Sequence, residues 1–300
     1  MSEAGDLRVR LAAFDWLRER VEAHGDVLAR AVLVNGFVFE GNRVPLMSPQ
    51  GIFKPRVCEL PLSITTSPNS PYRDTQSGEL IAYSYRGTDR QHPDNVGLRA
   101  AMVRRTPLVY FYGAVPNRYV ATWPVYVVGD DQADLMFSIA ADEATHVEPA
   151  GLHRSSEERD EIRRQYVTAT VRTRLHQRAF RERVLEAYRN QCSVCQLRHQ
   201  ELLDAAHIVA DAEDEGDPVV SNGLALCKLH HAAFDSFFMT VRPDYRIEVR
   251  PSILEESDGP MLLVGLIQIH GGMIQLPRAV RDRPDLVRLE HRYERFLRAS

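Results

Sequence analysis

The sequence has 300 residues, of which 44% are hydrophobic and 26% charged, a composition that excludes a wholly disordered or fibrous chain. The formal net charge of −4 does not indicate a protein that is basic throughout, although an average can hide local patches of either sign. Apolar runs stay below the roughly 18 residues that cross a bilayer and acids are spread through the first 30 residues, so we expect a cytoplasmic protein without a secretory signal or membrane contact.

The amino-terminal half begins with a predicted helix and continues as a predicted sheet. Apolar residues recur at three- and four-residue spacing over residues 7–24, which predicts an amphipathic helix that ends at Gly25. From Ala31 to about Ala140, short β-rich runs alternate with Pro, Gly, Asn and Asp, a pattern typical of a mostly antiparallel sheet or barrel. One predicted helix, at about residues 96–104, interrupts these strands.

The carboxy-terminal half is predicted to be a separate domain. Residues 141–156 are polar and lack a clear period, and domains average about 150 residues, so we predict domains at residues 1–150 and 151–300. A long helix at about 156–189 is followed later by strands at 245–250 and 261–269 and by a basic helix at 285–299. These elements place the chain in the α+β class.

Three of the four cysteines lie close together in the second domain. Cys192-x-x-Cys195 and Cys227-x-x-His230 supply four soft or borderline ligands, and a two-residue gap lets both side chains of a pair turn toward one ion. Because four protein ligands complete a tetrahedral shell, this spacing predicts a structural Zn²⁺ site. A disulfide scaffold is excluded, since four cysteines in 300 residues are too few.

Other polar residues in this region are not required by a structural zinc site. His207 lies in the apolar segment AAHIVA, which predicts a strand, and a histidine there is more often a satisfied core residue than a catalytic one. Asn222 opens the segment NGLAL, and His231 directly follows the fourth zinc ligand. Asp235 is four residues beyond His231, so the two side chains share one face of a helix.

The order Cys-x-x-Cys, His207, Asn222, Cys-x-x-His, His231 resembles the HNH nuclease family, whose core is two strands and a helix around a metal, the ββα-metal fold. The resemblance covers about residues 180–240. It implies that His207 is the general base for the attacking water and that Asn222 holds the loop and orients His207 through its amide. It also implies that His231 and Asp235 hold a divalent cation, which stabilises charge on the scissile phosphate and on the leaving 3′ oxygen.

The chain departs from this family at one position. Many HNH sites have Asp or His directly before the base, whereas this sequence has Ala206. The cation would then be held by two side chains plus water and phosphate, or Asp204 would contribute as well. An imidazole ligand favours Mn²⁺, Co²⁺ or Ni²⁺ beside Mg²⁺.

The first domain resembles the SRA domain, a reader of modified cytosine with a twisted barrel of the PUA type, in the order of its segments between residues 51 and 128. The resemblance implies a pocket that receives a flipped modified base, with Tyr72 and Tyr85 as the stacking rings. Asp74 would accept the exocyclic amine of cytosine. Because tyrosines are common in sheets, ordinary strand aromatics are the alternative interpretation.

An SRA-like reader followed by an HNH nuclease resembles the modification-dependent restriction endonucleases of the SRA-HNH type. The resemblance implies an enzyme that cuts double-stranded DNA containing 5-methylcytosine or 5-hydroxymethylcytosine and spares unmodified DNA. One nuclease site per chain implies a homodimer for cutting both strands. Two alternatives stay open: a nuclease whose first domain recognises a phosphorothioate, a glucosylated base or plain sequence, and a non-catalytic, zinc-stabilised DNA-binding protein.

Overall fold

A computed structural model of the chain describes residues 3–68, 80–141, 156–211, 213 and 216–299. The chain divides into two compact units, residues 1–179 and 180–300. Within the described residues, no helix combines the length and the apolar composition needed to span a bilayer. Helices together with mostly antiparallel strands confirm the predicted α+β class.

The first unit contains three complete helices and nine strands among its described residues. The helices are α1 (Glu3–His24), α2 (Arg30–Asn35) and α3 (Pro93–Val103). The strands are β1 (Val27–Ala29), β2 (Phe37–Phe39), β3 (Asn42–Val44), β4 (Ile52–Phe53), β5 (Ser63–Thr66), β6 (Ile81–Ser84), β7 (Leu108–Val115), β8 (Arg118–Asp131) and β9 (Met136–Ala141). The two helices predicted here are confirmed, and Gly25 ends the first of them with a left-handed φ of 79°.

One seven-stranded sheet organises the first unit. Its strand order is β4-β5-β7-β8-β9-β6, with β1 paired to β8, and the β5–β7 pair is parallel whereas the other pairs are antiparallel. Among the described residues, the path begins at β4 and ends at β6 without closing. The sheet is thus a curled half-barrel, whereas the resemblance to the SRA domain implies a twisted barrel. Closure requires its edge strands to pair, and β4 offers only two residues.

A buried charge fastens α1 to this sheet. Arg10 is fully buried and donates to the Asp6 carboxylate at 2.6 Å. It also donates to three backbone carbonyl oxygens, those of Leu60, Pro61 and Pro107. A buried guanidinium is tolerated only when its donors are satisfied in this way, so these bonds fix α1 against the segments that enter β5 and β7.

The long helix α4 (Ser156–Ala187) contributes to the cores of both units. Leu175 and Ala179 are buried in the core of the first unit, whereas Phe180 and Val184 are buried in the core of the second. The units therefore divide within the helix, while the predicted boundary at residues 150–151 lies outside the described residues. A single apolar stripe runs along the helix, so sequence spacing does not mark the division.

Among its described residues, the second unit contains two antiparallel strand pairs and, after α4, four α-helices. The pairs are β10 (Leu203–His207) with β11 (Gly223–Cys227) and β12 (Met239–Val241) with β13 (Ile247–Val249). The helices are α5 (Lys228–Asp235), α6 (Pro251–Leu254), α7 (Pro260–Gly265) and α8 (Leu286–Ala299). The predicted strand at 245–250 and the predicted carboxy-terminal helix are confirmed as β13 and α8.

The predicted strand at residues 261–269 is wrong. These residues form most of α7 and a 3₁₀ turn at Ile267–Ile269. Pro260 opens the helix, at a position where the backbone needs no N–H donor. A short apolar run does not by itself distinguish a strand from a helix, and tertiary packing decided between them.

Candidate zinc centre and nuclease site

The four predicted zinc ligands come together in the second unit. Cys192 and Cys195 lie in the loop after α4, where Gln196 adopts a left-handed φ of 61° and its N–H donates to the Cys192 carbonyl oxygen at 2.9 Å. Cys227 is the last residue of β11, and His230 lies in the first turn of α5. Their four ligand atoms all lie within 4.8 Å of one another.

The distances among these atoms fit a tetrahedral zinc ion. The Sγ atoms of Cys195 and Cys227 are 3.9 Å apart, and His230 Nδ1 is 3.5 Å from Cys192 Sγ and 3.2 Å from Cys227 Sγ. Zinc bonds of about 2.3 Å to sulfur and about 2.0 Å to nitrogen place tetrahedral neighbours about 3.8 Å apart for two sulfurs and about 3.5 Å for sulfur and nitrogen. The donors and their spacing therefore suit Zn²⁺.

A carbonyl group outside the ligand set orients His230. Its Nε2 lies 2.8 Å from the carbonyl oxygen of Gly265, the last residue of α7. Because a carbonyl oxygen only accepts, Nε2 carries the ring hydrogen and Nδ1 keeps a lone pair for a metal. No local spacing indicates Gly265, which is 35 residues away.

His207 is the last residue of β10 and pairs with Gly223, the first residue of β11. Its half-buried imidazole stacks on Phe180, with ring centroids 4.1 Å apart and planes 16° from parallel. A Cβ atom at Gly223 would lie 2.4 Å from Val184 and 2.9 Å from the Phe180 ring. The missing side chain at Gly223 therefore lets α4 approach β11 closely enough for Phe180 to cover His207.

The surroundings of His207 favour a neutral imidazole. Burial lowers its pKa below the ordinary value of 6.5, and the nearby charge of His231 lowers it further, against the opposing effects of Asp211 and Asp235. Nε2 of His207 is buried and has no hydrogen-bond partner among the described residues. Neutral imidazole is the form that a general base requires.

Asn222 is fully buried and holds the loop that follows His207. Its Oδ1 accepts the N–H of Val209 at 2.9 Å, and its Nδ2 donates to the carbonyl oxygens of Val209 at 3.0 Å and Asp217 at 3.1 Å. The backbone carbonyl of Asn222 also accepts the N–H of Ile208. These bonds hold the loop next to His207, and among the described residues none joins the Asn222 amide to the imidazole.

His231 and Asp235 lie one turn apart on α5, as their spacing predicts. Nε2 of His231 is 3.3 Å from a carboxylate oxygen of Asp235, whose side chain is 60% exposed. The pair offers one imidazole and one carboxylate to a cation on an accessible face. Asp204 contacts the other ring nitrogen, and this contact raises the pKa of His231, with Asp235 adding to the effect and burial opposing it.

Ala206 and Asp204 have different environments on β10. Ala206 is fully buried in the core of the second unit and, as the second residue after Asp204 in the strand, lies on the same face of β10. Asp204 lies against α5 and forms an ion pair with Lys228 at 2.7 Å. The contact with His231 and, less strongly, the pair with Lys228 hold the pKa of Asp204 well below its usual value, although burial opposes them.

Of the predicted base pocket, Tyr72 and Asp74 lie outside the described residues. Tyr85 is buried, stacks on Phe137 at 4.5 Å between ring centroids, and donates its hydroxyl hydrogen to Asp130. A cavity of about 260 Å³ is lined by Tyr85 together with Gly51, Thr66, Tyr83 and Arg86, among others. One face of the Tyr85 ring is therefore covered by the core, and the cavity lies beside β6, which ends one residue before Tyr85.

Sequence reasoning did not identify Phe180 or Gly265 as part of these sites. Phe180 belongs to the apolar stripe of a long helix and Gly265 contributes only a backbone carbonyl, so neither carries a recognisable motif. Because Ala206 stands where many HNH sites have a metal ligand, the sequence suggests Asp204 as an alternative ligand, but the pairing of Asp204 with Lys228 depends on the packing of α5 on β10.

Comparisons with known proteins agree with this geometry for part of the chain. Residues 192–242 match the protein-family model described as HNH endonuclease. The solved "Modification dependent TagI restriction endonuclease" is 16% identical, with a TM-score of 0.31, over 79% of this chain and 81% of that chain. The "Type IV phosphorothioation-dependent restriction endonuclease ScoMcrA" is 16% identical, with a TM-score of 0.25, over 61% of this chain and 54% of that one.

No curated protein matches the sequence significantly. Both TM-scores lie below 0.5, so neither solved structure establishes the fold or the substrate of this chain. The family match, by contrast, spans the zinc ligands, His207, Asn222 and the α5 residues in their predicted order. The second unit therefore contains an HNH endonuclease domain, which occupies residues 192–242.

Proposed function

We propose that this protein is a metal-dependent DNA endonuclease whose centre consists of His207, Asn222, His231 and Asp235. The proposal rests above all on one arrangement: a desolvated imidazole at the end of β10 lies within electrostatic range of the exposed His231–Asp235 pair on α5. A neutral base beside a potential cation site is what hydrolysis of a phosphodiester requires.

In this proposal His207 acts on the attacking water, and Asn222 keeps His207 in place. His207 accepts a proton from the water that attacks phosphorus, and stacking on Phe180 keeps its ring in one plane. Asn222 holds the backbone after His207, so the base stays at the end of its strand. Hydrolysis leaves a 5′-phosphate and a 3′-hydroxyl.

His231 and Asp235 would hold a divalent cation, and imidazole with carboxylate suits Mn²⁺, Co²⁺ or Ni²⁺ as well as Mg²⁺. When bound, such an ion stabilises negative charge on the scissile phosphate and on the leaving oxygen. The Cys192, Cys195, Cys227 and His230 group would hold a separate Zn²⁺ with a structural role, because four protein donors leave no open position.

For the first unit we propose an SRA-like reader that receives a flipped 5-methylcytosine or 5-hydroxymethylcytosine. The cavity beside Tyr83 and Tyr85 supports this, since about 260 Å³ with aromatic and backbone polar groups suits a ligand no larger than one base. Tyr72 and Asp74 belong to the same proposal as stacking and hydrogen-bonding partners. A homodimer would supply two nuclease sites for the two DNA strands.

The test uses plasmids that carry 5-methylcytosine, 5-hydroxymethylcytosine or no modification, incubated with the full chain and Mn²⁺. We expect only modified plasmids to be cut, and His207→Ala to abolish cutting without weakening binding. His199→Ala, which alters an exposed histidine of the same unit, is the matched control and should cut normally.

Other outcomes would contradict separate parts of the proposal. Equal cutting of all plasmids would mean that the first unit recognises something other than modified cytosine. Absence of cutting with Mn²⁺, Co²⁺, Ni²⁺ and Mg²⁺, each tried in turn, would favour a non-catalytic DNA-binding protein. Normal cutting by His207→Ala would exclude His207 as the base.

A further inference from the structure

The imidazole of His231 lies between two carboxylates, one at each ring nitrogen. Nδ1 is 3.6 Å from Asp204 on β10, and Nε2 is 3.3 Å from Asp235 on α5. The side chain of His231 is only 24% exposed, so the ring has little freedom to rotate between them. The two contacts therefore distinguish the two nitrogens.

The two carboxylates have different partners. Asp204 is 2.7 Å from Lys228 Nζ and 3.5 Å from Arg181 Nε, so two cations already share its charge. Asp235 is 60% exposed and, among the described residues, has no Lys or Arg within ion-pair distance. A carboxylate engaged by two cations is a poor ligand for a third, whereas Asp235 remains available to a metal ion.

We infer that Asp204 is a positioning residue that accepts the Nδ1 hydrogen of His231 and thereby presents the Nε2 lone pair to the cation beside Asp235. The inference rests on the proposed function, because the cation site is part of it. A neutral imidazole has one ring hydrogen. When a cation occupies the Asp235 carboxylate, Asp204 is the acceptor that remains for this hydrogen, and Nε2 is then free to bind the metal. Without Asp204, the tautomer with its hydrogen on Nε2 competes and cannot bind the cation.

His230 and His231, which are adjacent on α5, then hold opposite tautomers. His230 donates from Nε2 to the Gly265 carbonyl and turns Nδ1 toward the thiols. In the inferred arrangement, His231 directs Nδ1 toward Asp204, 3.6 Å away, and Nε2 toward Asp235. One helical turn thus serves two different ions, and each imidazole is set by an acceptor from a different element.

The first experiment observes the tautomers by NMR. The zinc-loaded full chain is labelled with ¹⁵N-histidine and given further Zn²⁺ as a diamagnetic probe of the second site. We expect the ring hydrogen on Nδ1 for His231 and on Nε2 for His230. In Asp204→Ala, the His231 signals should move toward the Nε2–H form while those of His230 stay unchanged, which also reports an intact zinc centre.

The second experiment measures Mn²⁺ affinity by calorimetric titration of the zinc-loaded chain. Loss of a residue that orients a metal ligand by accepting its hydrogen weakens metal binding by about 10–100-fold, and we expect a loss of this size for Asp204→Ala. Asp204→Asn keeps an oxygen acceptor and should lose less. Glu201→Gln removes the same charge from an exposed residue close in sequence and should bind Mn²⁺ as the unaltered chain does.

Two results would overturn the inference. If Asp204→Ala changes neither the tautomer nor the affinity, Asp204 has no positioning role; if the affinity falls with the tautomer unchanged, Asp204 is a direct ligand. Failure of the proposed function is a separate result: His231→Ala and Asp235→Asn would then leave Mn²⁺ affinity unchanged. The tautomer of His231 without added cation still tests Asp204 in that case.

Discussion

Phe180 stacks on His207 within the second unit, with ring centroids 4.1 Å apart. Phe180 belongs to α4 and precedes the family match, which begins at residue 192. The ring plane of the proposed base is therefore set by a residue outside the segment that carries the motif. The same contact excludes water from the imidazole and contributes to the burial that lowers its pKa.

Replacing Phe180 by Leu should slow cleavage by about tenfold or more, because misplacing a catalytic group by about 1 Å can cost ~10²-fold. Leu keeps most of the buried volume, so the loss of unfolding free energy should stay below the ~3–5 kcal/mol typical of Phe→Ala. Single-turnover cleavage and urea unfolding measure the two effects.

Val184→Ala is the matched control for Phe180→Leu, since Val184 is buried in the same core. It should lower stability while the folded protein keeps its cleavage rate. A Phe180→Leu protein that cuts at the unaltered rate would show that the stack has only a structural role.

The pH dependence of cleavage should follow the lowered pKa of His207. Neutral imidazole is the active form, so the rate should stay constant as the pH falls through 6.5 and decline only at a lower pH, where His207 becomes protonated. In Phe180→Leu the decline should move up toward 6.5, because the imidazole is less desolvated. Cleavage rates measured from about pH 5 to pH 8 test this.

The free energy of unfolding should also decrease as the pH falls below 6.5, as the cleavage rate does at low pH. Just below pH 6.5 the unfolded chain binds a proton at His207 that the folded chain does not, so this group lowers the free energy of unfolding as the pH falls toward the folded pKa. The rates are measured at saturating Mn²⁺, because the raised pKa of His231 makes cation binding weaken at low pH. Under that condition, a half-maximal cleavage rate above pH 6.5 in the unaltered chain would contradict the assignment of His207 as a buried neutral base.

Removing the structural zinc should unfold the second unit, because metal binding at such a site contributes directly to folding. Cys195→Ser removes one donor and should lower both the bound zinc and the midpoint of thermal unfolding. Cys58→Ala, which removes the cysteine outside the ligand group, should keep its zinc. Atomic emission and circular dichroism give the two readouts, and a Cys195→Ser protein with normal zinc and melting would rule out this site.

Asn222→Asp should destabilise the second unit by about 1–3 kcal/mol, because a carboxylate would face the carbonyl oxygens of Val209 and Asp217 in place of an amide donor. Cleavage should also slow, since the backbone next to His207 loses its anchor. Asn190→Asp, at an exposed position, should change stability by less than about 0.5 kcal/mol. Equal unfolding free energies for the two variants would argue against the anchoring role.

Sequence spacing was sufficient wherever the interacting residues are close along the chain. Two residues between Cys192 and Cys195 and between Cys227 and His230 predict a metal-binding group, and the four ligand atoms do lie together. The i, i+4 spacing of His231 and Asp235 predicts a shared helix face, and their side chains are in contact. The catalytic roles of these residues stay predictions.

Sequence spacing was not sufficient where the choice between strand and helix, or between an open and a closed sheet, depends on residues that are distant in sequence. Residues 261–269 carry an apolar run compatible with a strand, and packing in the second unit made them helical. The sheet of the first unit has strands in nearly the predicted stretches, yet whether its edges meet is a property of the whole sheet.

By itself, the sequence determined which residues form the Cys/His metal-ligand group and the order of the HNH residues, because short covalent spacing limits where those side chains can be. Only the tertiary structure decided that Phe180 covers His207, that Gly265 orients His230 and that Asp204 contacts His231. Each of these contacts joins elements whose approach depends on the packed core of the second unit, and a local pattern carries no information about that packing.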